Sequence, residues 1–318
     1  MKHIFIINPA AGKDREKRWL VDSIKSAAEK LSQKAEIYFT KCEGDAYEFA
    51  KKAAEDSEEN LRLYACGGDG TFNETISAAV GRDNISVGCI PCGTGNDFVK
   101  NFKLKEDFLN IQKQMNAAED KIDIIEANGN YSVNICNMGF DADVADGMLK
   151  FKRLPLVSGS MAYSLSVVTS MIKKLGFRAK IICDGIREIE EDIMMMVVAN
   201  GICYGGGYYG APKAKIDDGL MDVCIVKKLS RFKIVDLIGD YKKGNHVDEP
   251  KFKKYIEYFR CKEIEIEAEK PFTLSRDGEI SKTLKANIHI IKNGVNFLNP
   301  SKQNIKRSKK DESIVCQF

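Results

Sequence analysis

The sequence predicts two domains: an N-terminal α/β domain with a mostly parallel sheet, then an antiparallel β-sandwich. Three observations carry that expectation. Over the first third, short apolar runs alternate with stretches of helical spacing, as βαβ units require. From about residue 121 the runs become rich in β-branched residues and separated by turns, the pattern of an antiparallel sandwich. The length, 318 residues, fits two units at roughly 100–200 residues each. The boundaries expected are 1–120 and 121–293, and the pattern leaves open whether the segment 294–318 packs back on the first domain.

In chain order, 3–7 reads as a strand, and 14–31 as a helix with apolar positions at Trp19, Leu20, Ile24, Ala27, Ala28 and Leu31. Residues 35–40 and 45–56 repeat the strand and helix, 61–66 is a third strand, 71–80 a helix and 86–90 a fourth strand. A Pro/Gly loop and another helix follow. Strands then read at 122–127, 131–138, 179–183, 194–199, 221–226, 264–268 and 286–291, with helical stretches near 158–175 and 231–244. In a parallel sheet ligands sit outside the carboxyl ends of the strands, and each Gly-rich loop falls at such an end.

Composition excludes several classes. With 44% hydrophobic and 30% charged residues the chain is globular, neither disordered nor collagen-like. A net charge of +3 argues against a dedicated nucleic-acid partner. The N-terminus reads as strand and loop, so the ten cysteines are expected reduced in a cytoplasmic protein. Cys89 and Cys92 have CxxC spacing, but no second pair completes a zinc set. The charge-free stretch 154–172 is too interrupted by Pro155, Gly159 and hydroxyl side chains for a membrane span, and reads as a buried or membrane-facing helix. The Met194-Met195-Met196 run reads as core, and His3, His246 and His289 as structural. The basic tail 301–312 suits a weak contact with an anionic membrane surface.

Three loops carry the functional signal. Asn8-Pro9-Ala10-Ala11-Gly12 joins the first strand to the first helix, where free N–H groups and the helix dipole favour a phosphate. It lacks Walker spacing, and a plain turn explains it about as well. Gly67-Gly68-Asp69-Gly70-Thr71, followed by Phe72 and Asn73, permits close backbone approach. Asp69 there is either a magnesium-side ligand or an N-cap. In the third loop Thr94 offers a hydroxyl, while Asn96 and Asp97 either cap the next helix or hold neighbouring loops. Later, Arg276-Asp277-Gly278-Glu279 reads as a turn projecting two carboxylates, either of which can accept a hydroxyl proton. Asp217-Asp218 sits in a Gly-bounded turn, a cation site or a pair of solvated acids. The glycines of the 204–210 loop allow lid movement or simply shape turns.

These loops in this order resemble the diacylglycerol kinase catalytic family, in its bacterial branch related to sphingosine and ceramide kinases. The matching residues are Asn8-Pro-x-x-Gly12, Gly67-Gly-Asp-Gly-Thr71, Pro91-x-Gly-Thr-x-Asn-Asp97, Asn137-x-Gly-Phe-Asp-Ala142, Ala211-Pro212, Asp217-Asp218-Gly219-Leu220 and Asp277-Gly278-Glu279. The resemblance spans about residues 1–300. It implies an active site in the interdomain cleft and a kinase that moves the γ-phosphate of ATP, with Mg²⁺, to a lipid hydroxyl. Diacylglycerol is the acceptor it favours. Asn8 to Gly12, Thr40, Gly67 to Asn73 and Thr94 would contact the nucleotide. Glu279 matches the proton acceptor, with Asp277 beside it and Asp69 in the catalytic set. Asp218, with the carbonyls of Lys215 and Leu220, matches a structural magnesium site. Transient membrane contact and a homodimer are implied as well. Arg276 departs from many relatives, and can pair with Asp277 or reach a phosphate. The alternatives are a kinase for another lipid alcohol (phosphatidylglycerol, an undecaprenol-like alcohol or a sphingoid base), an NAD kinase, or a non-catalytic nucleotide- or lipid-binding protein.

Overall fold

The computed structural model describes residues 1–12, 14–57, 59–151, 165–166, 169–170 and 176–303. The stretch 154–172 and the tail 301–312 thus lie largely outside the described residues. Four strands, β1 (Lys2–Ile7), β2 (Ala35–Phe39), β3 (Leu61–Gly67) and β4 (Ile85–Pro91), form a parallel sheet in the order β2-β1-β3-β4. Helices α1 (Asp14–Leu31), α2 (Asp45–Glu55) and α3 (Asp69–Ser77) connect them. Alternate residues of β1 feed two cores. Ile4 and Ile6 face α2 and α3, while Phe5 and Ile7 face α1. Coverage on both faces explains why β1 reads as an unbroken apolar run from Ile4 to Ile7.

After β4 the chain makes short 3₁₀ turns, Phe98–Asn101 and Lys105–Leu109, where the sequence suggested a helix. The short α4 (Ile111–Met115) follows. The second half holds β5 (Ala117–Ala127), β6 (Asn130–Ser132), β7 (Ile135–Gly139), α5 (Phe140–Phe151), β8 (Phe177–Cys183), β9 (Arg187–Ala199), β10 (Met221–Lys227), α6 (Arg231–Lys243), β11 (Ile256–Cys261), β12 (Glu263–Arg276) and β13 (Glu279–Gln303). The expected strand 131–138 is split into β6 and β7, and α5 was not foreseen in the sequence. All pairings in this half are antiparallel. Both β7 and β8 pair with β9 and with β12, so these four strands close a ring around an apolar interior that includes Met138, Ile181, Met196 and Leu274. The long β12 turns this corner at a register break between Glu267 and Phe272, where Pro271 removes a ladder donor.

One strand joins the halves. β13 runs antiparallel to β12 and β5, bends at Gly294, and then pairs Asn296 and Phe297 in parallel with Ser86 and Val87 of β4. Asn296 Nδ2 donates to the carbonyls of Asp83 and Ile85 at 3.0 and 3.1 Å. Phe297 enters an aromatic cluster with Phe72, Phe98, Phe102 and Phe108. A continuous path of paired strands therefore runs through the molecule.

Candidate active site

Parallel strands bring β1, β3 and β4 to one edge, so their three loops meet there. Asn8 Oδ1 accepts from the Ala10 N–H at 2.9 Å, and its Nδ2 donates to Thr71 Oγ1 at 3.0 Å. Asp69 Oδ1 accepts from the Asp97 N–H at 2.6 Å, tying the second loop to the third. Gly68 caps α3, so Asp69 is a first-turn residue and not the N-cap. Burial, then the charge of Asp97, raises its pKa. The glycines serve contact between loops as well as approach to a ligand. A Cβ on Gly93 would lie 2.5 Å from Gly68 Cα, and one on Gly95 would lie 2.6 Å from Asp69 Oδ2. Gly70 differs, with nothing within 4 Å of where its Cβ would be.

A polar cleft of about 430 Å³ opens beside these loops. Asn8, Pro9, Ala10, Thr40, Gly70 and Thr71 line it. Ala11 and Gly12 continue the first loop, and Gly67, the last residue of β3, and Gly68, the cap of α3, open the second. Four expected nucleotide contacts have side chains that point elsewhere. The Phe72 ring packs 4.7 Å from that of Phe98 in the core, and its N–H donates to Gly68. Asn73 is buried, with Nδ2 donating to the Tyr131 carbonyl at 3.4 Å. Asp69 and Thr94 line a second, apolar cavity. For the residues of α3, one turn of helix directs successive side chains to different sides, so Asp69 to Asn73 cannot all face one ligand. Glu74, absent from the expected set, lines the cleft while accepting the N–H groups of Gly44 and Ala46 at 2.9 and 3.1 Å, which caps α2.

The Asp277-Gly278 turn closes the cleft. Both residues have positive φ, 45° and 98°, as a two-residue type I′ hairpin requires. The Asp277 carboxylate accepts the N–H groups of Val133, Asn134 and Ile135 at 2.8, 3.2 and 2.8 Å. Burial nevertheless pushes its pKa up to about 6. Asp277 thus docks the hairpin onto the chain entering β7. Glu279 opens β13 and lines the cleft. Partial desolvation raises its pKa; the Arg276 guanidinium opposes the rise, and Glu74 and Glu43 add to it. Arg276 donates to Ser281 Oγ at 3.3 Å and not to Asp277.

On the other side of the same turn lies an apolar cavity of about 580 Å³. Asp277 and Gly278 line both spaces. Phe140, Val144 and Met148 of α5 form one wall, and Ile234, Leu237 and Tyr241 of α6 another. Met194 and Met195 face the cavity together because Met194 is a bulge, skipped between the Met195–Val226 and Ile193–Lys227 pairs. Met196 stays in the ring interior, so the core expectation for this run holds for burial but omits the cavity. Tyr204 donates to Asp141 Oδ2 at 2.5 Å and meets Tyr241 Oη at 3.1 Å, a buried polar group among apolar walls. Burial pushes Asp141 up to about 6. Asp97 accepts the Gly206 N–H at 2.9 Å, so it holds the glycine-rich 204–210 loop over the cavity. No side-chain cap bond from Asp97 accompanies this, and the loop-holding alternative is what the structure contains.

The histidines are structural. His3 meets Tyr64 at 2.9 Å and His246 packs on Tyr241, and burial depresses both to about 4. His289 lies 3.5 Å from Glu126 at the surface. The 215–220 loop hangs on buried Asp123, whose carboxylate accepts the N–H groups of Gly219 and Asn293 at 2.6 and 2.7 Å. Asp218 Oδ1 accepts its own loop's Leu220 N–H at 3.1 Å, and Oδ2 pairs with Arg260 at 3.2 Å. Each Asp218 oxygen thus has one protein partner, and the expected Mg²⁺ position would add to this carboxylate the backbone carbonyls of Lys215 and Leu220. No group of three or more His, Cys, Asp or Glu converges on a metal position among the described residues. No helix among them is long and apolar enough to cross a membrane.

Two cavities sharing one acidic turn, beside the three loops at the ends of β1, β3 and β4, form a site suited to group transfer. The family comparisons agree with that class. The model of the diacylglycerol kinase catalytic domain matches residues 2–127. That of the YegS C-terminal NAD kinase beta sandwich-like domain matches residues 134–298, over half the chain. The chain belongs to this two-domain lipid-kinase family. A diacylglycerol kinase of Bacillus subtilis is 28% identical over 277 residues, covering 86% of this chain and 88% of that protein. One of Staphylococcus carnosus is 27% identical over 297 residues, covering 93% and 94%. The fold is similar to the crystal structure of a diacylglycerol kinase from Bacillus anthracis, with a TM-score of 0.68 at 22% identity, covering 94% of this chain and 97% of that one.

Proposed function

We propose that this protein transfers the γ-phosphate of ATP to the hydroxyl of diacylglycerol, giving phosphatidate. The observation that carries the reading is the shared turn. Asp277 and Gly278 line both the polar cleft and the apolar cavity. Nucleotide phosphates in the first and an acyl-chain lipid in the second would meet at Glu279. At the start of α3, the N–H groups of Asp69, Gly70 and Thr71 precede the first helical bond, from Phe72 to Gly68, and are oriented for phosphate oxygens.

Glu279 is the proton acceptor in this reading. It faces the cleft with a raised pKa, which suits a base near neutral pH. Asp277 is a positioning residue, since its oxygens are taken by three N–H groups. Asp69 likewise holds the second loop against the third. ATP enters as its magnesium salt. A cleft lined by Glu43, Glu74 and Glu279 repels bare triphosphate, and the cation neutralises that charge. The test is transfer of label from γ-labelled ATP to lipid alcohols in mixed micelles, with Glu279→Gln beside the wild type. Label on diacylglycerol that is lost in the variant is expected. Label on another lipid changes the acceptor, and ATP binding without label on any lipid overturns the reading.

A further inference from the structure

We infer that α6 is the membrane-docking element, with its outer face seated on an anionic lipid surface. This rests on the lipid-kinase reading of the apolar cavity and adds how the cavity reaches its substrate. The helix has two apolar faces. Ile234, Leu237 and Tyr241 are buried and line the cavity. On the opposite side Phe232 is 90% exposed and Val235 65% exposed. Phe232 and Val235 lie one helical turn apart, so they form a contiguous apolar patch and not isolated exposed side chains. On the next turn of that face Gly239 leaves open space, with nothing within 4 Å of a Cβ.

Charge selects the occupant. Residues 227–254 hold nine basic and four acidic side chains, against a net of +3 for the whole chain. The two acids on the helix, Asp236 and Asp240, both pair with Lys251 at 3.3 and 2.7 Å, and Asp248 pairs with Lys213 at 2.5 Å. Lys233 and Lys254 lie over the Tyr255 ring at 4.2 and 5.0 Å. Lys242 and Lys243 are exposed at the end of the helix. Aromatic and aliphatic tips ringed by lysines match an interface of acyl chains below anionic headgroups. A helix inserted there makes one wall of the cavity continuous with the bilayer, so a lipid enters without crossing water.

The test is sedimentation of the full chain, without ATP, with phosphatidylcholine vesicles that contain or lack phosphatidylserine. Wild type is expected to bind the phosphatidylserine vesicles. Phe232→Ser with Val235→Ser should weaken that binding about tenfold. Lys242→Gln with Lys243→Gln should weaken it several-fold on anionic vesicles only. Both variants should keep wild-type turnover on a short-chain, monomeric diacylglycerol, because neither pair lines the cavity. Vesicle binding that is unchanged in both variants overturns the inference. So does a wild-type dimer in sedimentation equilibrium that the Phe232/Val235 variant converts to monomer, which would make this face a self-association surface. Because vesicle binding is read without ATP, it stands apart from whether diacylglycerol is the acceptor.

Discussion

The two carboxylates of the late turn do different work, although they stand two residues apart. Asp277 accepts three backbone N–H groups, so Asp277→Asn should cost about 1–3 kcal/mol of stability, lowering the melting temperature along with activity. Glu279 has no such anchoring role, so Glu279→Gln should leave the melting temperature in place and cut kcat by roughly 10²–10⁴-fold. Calorimetry with single-turnover kinetics separates the two. Gly70 sits over open space, so Gly70→Ala should fold normally and raise KM for ATP by projecting a methyl into the cleft. An unchanged KM would remove Gly70 from the phosphate edge. Asp141 carries a pH signature. Its folded pKa of about 6 lies above the ordinary carboxylate value, so folding favours the protonated form. Its contribution is full at low pH and is lost as pH rises through about 6. Relative to Asp141→Asn, the wild type should therefore lose up to about 3 kcal/mol as pH rises over that window, as read by urea unfolding at a series of pH values.

Among the elements, β13 and α6 decide most. The end of β13 ties the second half to the first through Asn296 and Phe297. Phe297→Ala empties the centre of a five-ring cluster and should cost about 3–5 kcal/mol, measured by denaturant unfolding. In the first half the sequence marked β1 to β4, α1 and α2 within a residue or two, because the apolar periods of parallel strands and amphipathic helices are strong. In the second half it found β8, β10 and α6 but missed α5 and β11 and cut β5, β9, β12 and β13 short. Asp14–Leu31 was legible to the residue. Two of the misreadings have a local cause. The segment after Gly95 is short 3₁₀ turn because Asp97 is drawn to Gly206 and Asp69 binds the Asp97 N–H. The run 131–138 is broken because residues 133–135 give their N–H groups to Asp277 and not to a ladder.

At the scale of the whole molecule, the continuous path of paired strands makes the halves mechanically one body. Unfolding should accordingly follow a single transition, with near-ultraviolet and far-ultraviolet probes coincident along a urea titration. Two separated transitions would show that the β13–β4 junction is weak. The same continuity holds the two cavities in register across the Asp277-Gly278 turn, at a distance set by the sheet and not by a flexible linker.

By itself the sequence determined the two-domain class, the three glycine-rich loops and the acidic turn. Those signals are local: each depends on residues adjacent in the chain or one helical period apart. The tertiary structure decided what the motifs do. Phe72 and Asn73 left the polar cleft because helix geometry aims neighbours apart, while Asp69 and Thr94 line the apolar cavity instead. Glu74 entered it because α2 needed a cap. Asp218 took Arg260, a partner far along the chain. The apolar cavity was invisible beforehand, since a side chain lining a cavity and one filling a core have the same hydrophobic period, and only packing across α5, β9 and α6 tells them apart.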